Sequence, residues 1–309
     1  MKNSIVALIN PKAGSSDDDF RAKIEAALQK GGADFEIKET DPEDGAISVV
    51  REAIENGASQ IIACGGDGTI MSAVNGLARL EPAVDEEQTE PKTVFSIIPG
   101  GTANLLAQAL GIPDDVEEAV QTALKGHDRF IDLGQYGNDY FALGLGMGLT
   151  EKLVSGTSSK EKEKLGRLAY AKAMFAEMGQ KPHRFSFKLD GKAEQKSVGV
   201  ALVIANAGEI SDSWKFAPDA EMDDGLLDFC ILHRLGARDL VRLFLRGLFG
   251  KIEEDRVLTF FQAKKIELTT DPPLDLQIDG EVVDTKPPLT VQVRPKALKV
   301  RVPAEEINR

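Results

Sequence analysis

Strand and helix signals alternate through the first third of the chain, and this alternation restricts the fold more than any other feature. Short apolar runs such as Ser4–Ile9, Gln60–Cys64 and Val94–Ile98 are typical of buried strands. The segments between them carry apolar residues three or four positions apart, as amphipathic helices do. This alternation predicts a parallel sheet with helices on both faces. We therefore expect an α/β, doubly wound, Rossmann-like domain over residues 1–130.

The rest of the chain has a different texture. Strand-like runs dominate from residue 131, and the pattern predicts a mostly antiparallel β domain over residues 131–295, a sandwich or an open barrel. We take the β-sandwich as the expected fold. Asp190-Gly191 is a hairpin signal, and the continuous apolar run Val198–Ala205 predicts a single strand. The tail 296–309 is left free to pack back onto the first domain.

Two helices are also predicted within the β-rich part. They cover roughly Lys160–Met178 and Arg238–Phe249. The segment Gly236–Gly250 has leucine and phenylalanine on one face and arginines on the opposite face. It would either pack its apolar stripe on the β domain or lie against lipid headgroups. The second possibility is a peripheral membrane contact, and we expect the protein to make one.

Charge and composition exclude several classes of function. A net charge of −13 argues against nucleic-acid binding, because phosphate contacts need clustered Lys and Arg. The two cysteines, Cys64 and Cys230, lie in apolar runs and are expected to be buried, reduced thiols. The sequence contains no run of about 20 apolar residues. We expect a cytoplasmic protein that meets a membrane transiently, at its surface.

Three glycine-rich turns follow predicted strands, and they carry the chemistry of the first domain. They read NPKAG at 10–14, GGDGT at 65–69 and PGGTAN at 99–104. Small residues allow backbone N–H groups to approach a phosphate, and a helix start favours an anion. Taken singly, each turn is also explained as an ordinary tight turn or helix start. The candidate phosphate-binding residues are Asn10, Pro11, Lys12, Ala13, Gly14, Gly65, Gly66, Asp67, Gly68, Thr69, Thr102 and Asn104.

In this order and spacing the three turns resemble the diacylglycerol kinase catalytic domain family, which includes bacterial lipid kinases, sphingosine kinases and ceramide kinases. DDGLLD at 223–228 and IDGE at 278–281 extend the resemblance over nearly the whole chain. GGDGT alone is shared with NAD kinases and phosphofructokinases. The resemblance implies an NAD kinase/diacylglycerol kinase-like fold and an ATP-dependent kinase that transfers the γ-phosphate to a lipid hydroxyl.

The resemblance also implies where ATP and Mg²⁺ are bound. ATP would lie in the cleft between the two domains, and Thr40, Ile70 and Met71 would join the turn residues around it. Asp67 would help to hold the Mg²⁺ of ATP. A second, structural Mg²⁺ would be held by Asp224 together with the backbone carbonyls of Glu221 and Leu226. Without the resemblance, the turn around Asp224 is simply an acidic hairpin.

A general base is needed because a lipid hydroxyl must lose its proton as it attacks the γ-phosphate. The resemblance implies that Glu281, or Asp279 beside it, is that base. On its own, the IDGE segment is typical of a type I′ hairpin turn.

The sequence departs from the family in the third turn, where Leu105 stands at a position that many bacterial diacylglycerol kinases fill with Asp. This leaves the acceptor open among a glycerolipid, a sphingoid base, ceramide and other lipid alcohols. A homodimer is also left open. The alternative functions are an NAD kinase-like enzyme and a catalytically inactive nucleotide-binding regulator.

Overall fold

The structure is a computed structural model, and it describes residues 4–10, 17–41, 43–80, 91–148, 181–211, 214–215, 220–233 and 257–304. These residues form two compact units. The first contains the described residues up to 133 together with those from 294 onward, and the second contains residues 134–293. Both predicted helices of the β-rich part, and therefore the segment Gly236–Gly250, lie outside the described residues.

The first unit has a parallel sheet with helices between its strands. Its parallel strands are β1 (Ile5–Ile9), β2 (Phe35–Glu39), β3 (Gln60–Gly65) and β4 (Val94–Pro99), and the first part of β5 (His127–Tyr136) also belongs to this unit. The helices are α1 (Asp17–Lys30), α2 (Ile47–Glu55), α3 (Asp67–Leu80), α4 (Leu105–Ala109) and α5 (Val116–Lys125). Every residue of β1, β3 and β4 is buried, as expected of strands covered on both faces.

The order of these strands creates a place where a ligand can bind. The strands pair in parallel in the order β2-β1-β3-β4, and the end of β18 (Leu289–Val302) adds beside β4. From β1 the chain continues to β2, which lies on one side of the β1-β3 pair. From β3 it continues to β4, which lies on the other side of that pair. In open α/β sheets, ligands bind beyond the carboxyl ends of the strands at such a point of reversal. Asn10 follows β1 and Gly66 follows β3, so both stand at this point.

The second unit is antiparallel throughout its two large sheets. In chain order its strands are the end of β5, then β6 (Asp139–Phe141), β7 (Gly144–Met147), β8 (His183–Leu189), β9 (Gln195–Gly199), β10 (Ala201–Ala205), β11 (Glu209–Ser211), β12 (Trp214–Lys215), β13 (Leu227–Leu232), β14 (Leu258–Ala263), β15 (Lys265–Asp271), β16 (Leu276–Ile278), β17 (Glu281–Val283) and the start of β18. One sheet runs β18-β15-β8-β9 and the other β14-β13-β10-β7-β16-β17.

Both sheets of the second unit contribute to one apolar core. Phe187 of β8 and Phe229 of β13 have ring centroids 4.7 Å apart, and Leu202 and Ile266 are buried in the same cluster. Two antiparallel sheets that share a core form a β-sandwich. The predicted fold class, an α/β domain followed by an antiparallel β-sandwich, is confirmed.

The predicted single strand Val198–Ala205 is wrong, because two strands occupy this run. β9 ends at Gly199 and pairs with β8, whereas β10 begins at Ala201 and pairs with β7 and β13. The chain therefore passes from one sheet to the other at Val200. At Gly199 a side chain would stand 2.7 Å from the carbonyl oxygen of Leu232, so the crossing requires glycine there.

Candidate active site

The N-terminus of α3 is the most prominent polar feature at the reversal point of the first unit. Gly66 precedes this 14-residue helix, and its carbonyl accepts a hydrogen bond from the N–H of Ile70 (3.1 Å). Because Gly66 has no side chain, it cannot cap the N–H groups of the first turn. These N–H groups carry the positive end of the helix dipole, equivalent to roughly half an elementary charge. The helix start thus offers a binding place for an anion such as phosphate.

Asn10 connects the end of β1 to this helix start. Its Nδ2 lies 3.5 Å from Oγ1 of Thr69, which is buried in the first turn of α3. The two predicted turns after β1 and β3 are therefore brought together at this point. Residues 11–14, which include Lys12, lie outside the described residues.

The second and third glycine turns pack directly against each other. The N–H of Gly100 donates to the carbonyl of Gly65 (2.9 Å). A Cβ on Gly101 would stand 2.6 Å from Cα of Gly66 and 2.9 Å from Oδ1 of Asn104, closer than real Cβ contacts come. The glycines therefore serve the close approach of two backbones.

Asp67 and Asn104 hold these two turns in place. Oδ1 of Asp67 accepts from the N–H of Leu105 at the start of α4 (2.6 Å). Asn104 has a left-handed backbone (φ 49°), and its Oδ1 accepts from the N–H of Gly101 (2.9 Å). Its Nδ2 donates to the carbonyl of Gly101 (3.1 Å) and to Asp114 (3.3 Å). Both side chains thus shape the site, whatever else they bind.

The remaining residues that we predicted to bind the nucleotide differ in how exposed they are. Ile70 is fully buried, so only its backbone could face a ligand. Thr40 is buried at the end of β2, where its N–H donates to the carbonyl of Ile9 (3.0 Å). Met71 is half-buried, and Thr102 is exposed.

The predicted structural metal site is a tight turn before β13. Oδ1 of Asp224 accepts from the N–H of Leu226 (2.8 Å), and Gly225 between them has a φ of 75°. Asp224 and Glu221 are both exposed. Mg²⁺ prefers oxygen ligands, uses one or two carboxylates and keeps several waters, so this turn fits it. Among the residues that the structure describes, no group of three or more His, Cys, Asp or Glu side chains is placed to hold a metal ion.

The IDGE segment is a two-residue hairpin turn, as its sequence predicts. Asp279 (φ 47°) and Gly280 (φ 90°) both have left-handed backbones, and Ile278 pairs with Glu281 across the turn. The two carboxylates differ in their surroundings. Asp279 accepts three hydrogen bonds from the successive N–H groups of residues 142–144, whereas the side chain of Glu281 is exposed.

Neither thiol is suited to chemistry. Cys64 and Cys230 are both buried in strands, as predicted. Burial raises the pKa of each thiol far above its ordinary value, and the charge of Asp228 adds to the effect at Cys230. A thiol with a raised pKa forms little of the reactive thiolate.

Comparison with known proteins identifies the class to which these two units belong. The model of the diacylglycerol kinase catalytic domain matches residues 4–136. The model of the YegS C-terminal NAD kinase beta sandwich-like domain matches residues 149–302. The diacylglycerol kinase of Bacillus subtilis is 31% identical over 279 residues, which are 89% of this chain and 88% of that protein. The chain belongs to the diacylglycerol kinase catalytic domain family, so the predicted resemblance is confirmed.

Other relatives agree with this assignment over almost the full length. A protein of Shewanella frigidimarina named "probable lipid kinase YegS-like" is 27% identical over 297 residues, 96% of this chain and 93% of that protein. The crystal structure of a diacylglycerol kinase from Bacillus anthracis has a TM-score of 0.74 at 22% identity and covers 97% of each chain. That likeness shows a shared fold. In the described part of the chain, no helix is long and apolar enough to cross a bilayer.

Proposed function

We propose that the protein is an ATP-dependent lipid kinase that transfers the γ-phosphate of ATP to a lipid hydroxyl. The observation that carries this proposal is the start of α3 after Gly66, where two glycine turns meet at the reversal point of a parallel sheet. Phosphoryl transfer depends mainly on positioning and on stabilising the charge of the transferring group. An array of backbone N–H groups fixed by packing supplies both.

In this proposal the first unit binds the nucleotide. Backbone N–H groups at the start of α3 and side chains at the ends of β1, β2 and β4 bind the phosphates and the nucleoside. The residues concerned are Asn10, Pro11, Lys12, Ala13, Gly14, Thr40, Gly65, Gly66, Asp67, Gly68, Thr69, Ile70, Met71, Thr102 and Asn104. Oδ1 of Asp67 accepts the hydrogen bond from the N–H of Leu105. Oδ2 is therefore the oxygen that would accept a hydrogen bond from a metal-bound water.

Mg²⁺ would be held at two places, by Asp67 with the triphosphate and by Asp224 with the carbonyls of Glu221 and Leu226. When bound to ATP, it would neutralise the negative charge that builds up on the transferring phosphoryl group.

The second unit supplies the base. Glu281 takes the proton of the lipid hydroxyl while the hydroxyl oxygen bonds to the γ-phosphorus. The bond from that phosphorus to the β,γ-bridging oxygen breaks, and ADP leaves. Between the two candidates we assign the base to Glu281, because the carboxylate of Asp279 is already committed to three backbone N–H groups. An exposed carboxylate is free to accept a proton from a substrate.

The acceptor is a lipid alcohol, and the names of the relatives leave its kind open between diacylglycerol and other lipids. In this proposal the protein works in the cytoplasm, and its lipid acceptor brings it transiently to a membrane surface.

The test is transfer of label from γ-³²P-ATP to diacylglycerol, a sphingoid base or ceramide in mixed micelles, with NAD as a further acceptor. We expect label in at least one lipid and none in NADP. Label in NADP alone would establish an NAD kinase-like enzyme. Label in no acceptor, including a total lipid extract, with ATP still bound, would favour the inactive regulator.

The nucleotide site is tested by Gly101→Ala. The added Cβ must push the third turn away from Gly66, so we expect KM for ATP to rise about tenfold or more, since small misplacements are costly in such sites. The matched control is Gly32→Ala, at a φ of 71° with open space around its Cβ position. It should lower stability without raising KM for ATP. An unchanged KM in Gly101→Ala would contradict the proposed site.

A further inference from the structure

The loop 142–144, which joins β6 to β7 and includes the first residue of β7, is held by side chains from two distant parts of the chain. Oδ2 of Asp279 accepts from the N–H of Ala142 (2.9 Å), and its Oδ1 accepts from the N–H groups of Leu143 (2.8 Å) and Gly144 (2.9 Å). Nδ2 of Asn206 donates to the carbonyl of Ala142 (2.8 Å), and its main-chain N–H donates to the carbonyl of Leu143 (2.8 Å). The loop thus has both its donors and its acceptors bound.

The backbone of Asp279 binds the same loop. Its N–H donates to the carbonyl of Gly144 (3.0 Å), while its left-handed conformation turns the side chain back toward β7. An ionised carboxylate accepts hydrogen bonds only, and such charge-assisted bonds are roughly twice as strong as neutral ones. Asp279 therefore fastens the hairpin turn to the loop through four hydrogen bonds.

Apart from the turn, this hairpin is held from one side of its sheet. β16 and β17 have three residues each, and β16 pairs with β7 over its full length. Among the described strands β17 lies at the edge of the sheet, paired with β16, so its position depends on β16 and on the turn. Glu281 is the first residue of β17, directly after the turn.

We propose that Asp279 is a positioning residue, which together with Asn206 fixes the loop 142–144 and thereby sets where the carboxylate of Glu281 stands. This inference rests on the proposed function, in which Glu281 is the base. It assigns Asp279 no contact with the substrate. Its effect on turnover passes through the geometry of Glu281, and a displacement of about 1 Å can reduce turnover about 100-fold.

The decisive variant is Asp279→Asn. Asparagine tolerates the left-handed conformation, so the turn itself is retained. Its amide has one acceptor oxygen and one NH₂ group, so at least one of the three N–H groups loses its acceptor. We expect kcat to fall about 10- to 100-fold with KM for ATP unchanged, because the nucleotide is bound by the first unit. The acidic limb of the pH profile of kcat should remain, because the proposed general base is still present.

A matched control exists in the same unit. Asp190 has a φ of 49°, precedes Gly191 in a hairpin turn, and its Oδ1 accepts from the N–H groups of Lys264 and Lys265 (2.9 Å each). Asp190→Asn makes the same chemical change at the same kind of turn. It should lower the melting temperature while leaving kcat within about twofold of the wild type, since sites without shared partners act independently.

Two further measurements remain informative if Asp279→Asn folds poorly. Asn206→Ala releases the loop from its other side and should also lower kcat. In the wild type, hydrogen exchange at the amides of residues 142–144 should be slow, and it should speed up in the Asp279 variant. Fast exchange at these amides in the wild type would overturn the inference without any activity measurement.

The outcomes separate this inference from the proposed function. If the wild type phosphorylates a lipid and Glu281→Gln removes the acidic limb, the base is established. A kcat for Asp279→Asn within twofold of the wild type would then refute the positioning role alone. If instead Asp279→Asn removes the acidic limb and Glu281→Gln retains it, Asp279 is the base and the inference is wrong. If the wild type phosphorylates no lipid, the proposed function itself fails.

Discussion

The β-sandwich contains two Asp-Gly hairpin turns that are built in the same way and differ in the residue after the glycine. In both, the aspartate and the glycine have left-handed backbones, with φ values of 49° and 70° at Asp190-Gly191 and of 47° and 90° at Asp279-Gly280. In both, the carboxylate accepts backbone N–H groups of a loop distant in sequence. The next residue is Lys192 in one turn and Glu281 in the other. An aspartate in such a turn is therefore explained by structure, and function has to be sought in its neighbour.

The two turns also differ in how much support their strands provide. Asp190-Gly191 follows β8, which has seven residues, and precedes the five-residue strand β9. The strands on either side of Asp279-Gly280 have three residues each. Because fewer ladder hydrogen bonds hold the second hairpin, its aspartate carries a larger share of the stability.

The largest difference between the turns is expected at the third position. Glu281→Gln should lower kcat by about 10²–10⁴-fold, the usual contribution of a positioned general base, and should flatten the acidic limb of the pH profile. The matching change in the other turn, Lys192→Gln, alters an exposed side chain and should leave kcat unchanged. Steady-state kinetics with ATP and the preferred lipid measure both. Equal losses in the two variants would remove the functional distinction between the turns.

The second-largest difference between the two turns is expected in the free energy of unfolding. Asp279→Ala should lower the free energy of unfolding by about 2–3 kcal/mol, because three N–H groups lose a half-buried acceptor. Asp190→Ala should lower it by about 1 kcal/mol, since that carboxylate is exposed and serves two N–H groups. Urea titration followed by circular dichroism gives both values. A larger loss at Asp190 would contradict our view of which hairpin depends more on its aspartate.

The glycines should be nearly equivalent in stability and unequal in turnover. Gly191→Ala and Gly280→Ala each place a Cβ on a left-handed backbone, which costs about 1 kcal/mol. No atom lies within 4 Å of the position that a Cβ on Gly191 would take, so backbone strain is the whole cost of Gly191→Ala. Gly280→Ala should in addition lower kcat, because it displaces the residue next to Glu281. Thermal melts and kcat, measured on the same preparations, check this pair.

The smallest effect concerns two exposed valines in the strands after the turns. Val282 in β17 is 62% exposed and Val198 in β9 is 53% exposed. Val282→Thr and Val198→Thr should each change the free energy of unfolding by less than about 0.5 kcal/mol. Successive residues of a strand point to opposite faces of the sheet, so Val282 lies on the face opposite to Glu281, and neither change is expected to raise KM for the lipid. A rise in KM for either variant would place the acceptor elsewhere.

Local sequence patterns predicted the fold class and the candidate turns, because periodicity and turn chemistry act over a few residues. They failed at Val200, where a continuous apolar run hides the crossing from the largely exposed strand β9 in one sheet to the fully buried strand β10 in the other. They also left Glu281 and Asp279 undecided. The partners of Asp279 are residues 142–144, more than 130 positions away in sequence, and no local pattern reveals them. The pairing of Asp67 with the N–H of Leu105 was missed for the same reason.

The path of β18 has a consequence for how the chain is made. The sheet of the first unit receives its strand beside β4 from residues near 300, through Lys299 and Val300. A nascent chain that has emerged only as far as residue 133 would therefore carry an open edge along Val94 and Phe95. The sheet of the first unit is complete only after residues near 300 have left the ribosome. In that interval the waiting edge is a place where chaperones, or other unfinished chains, could add a strand of their own.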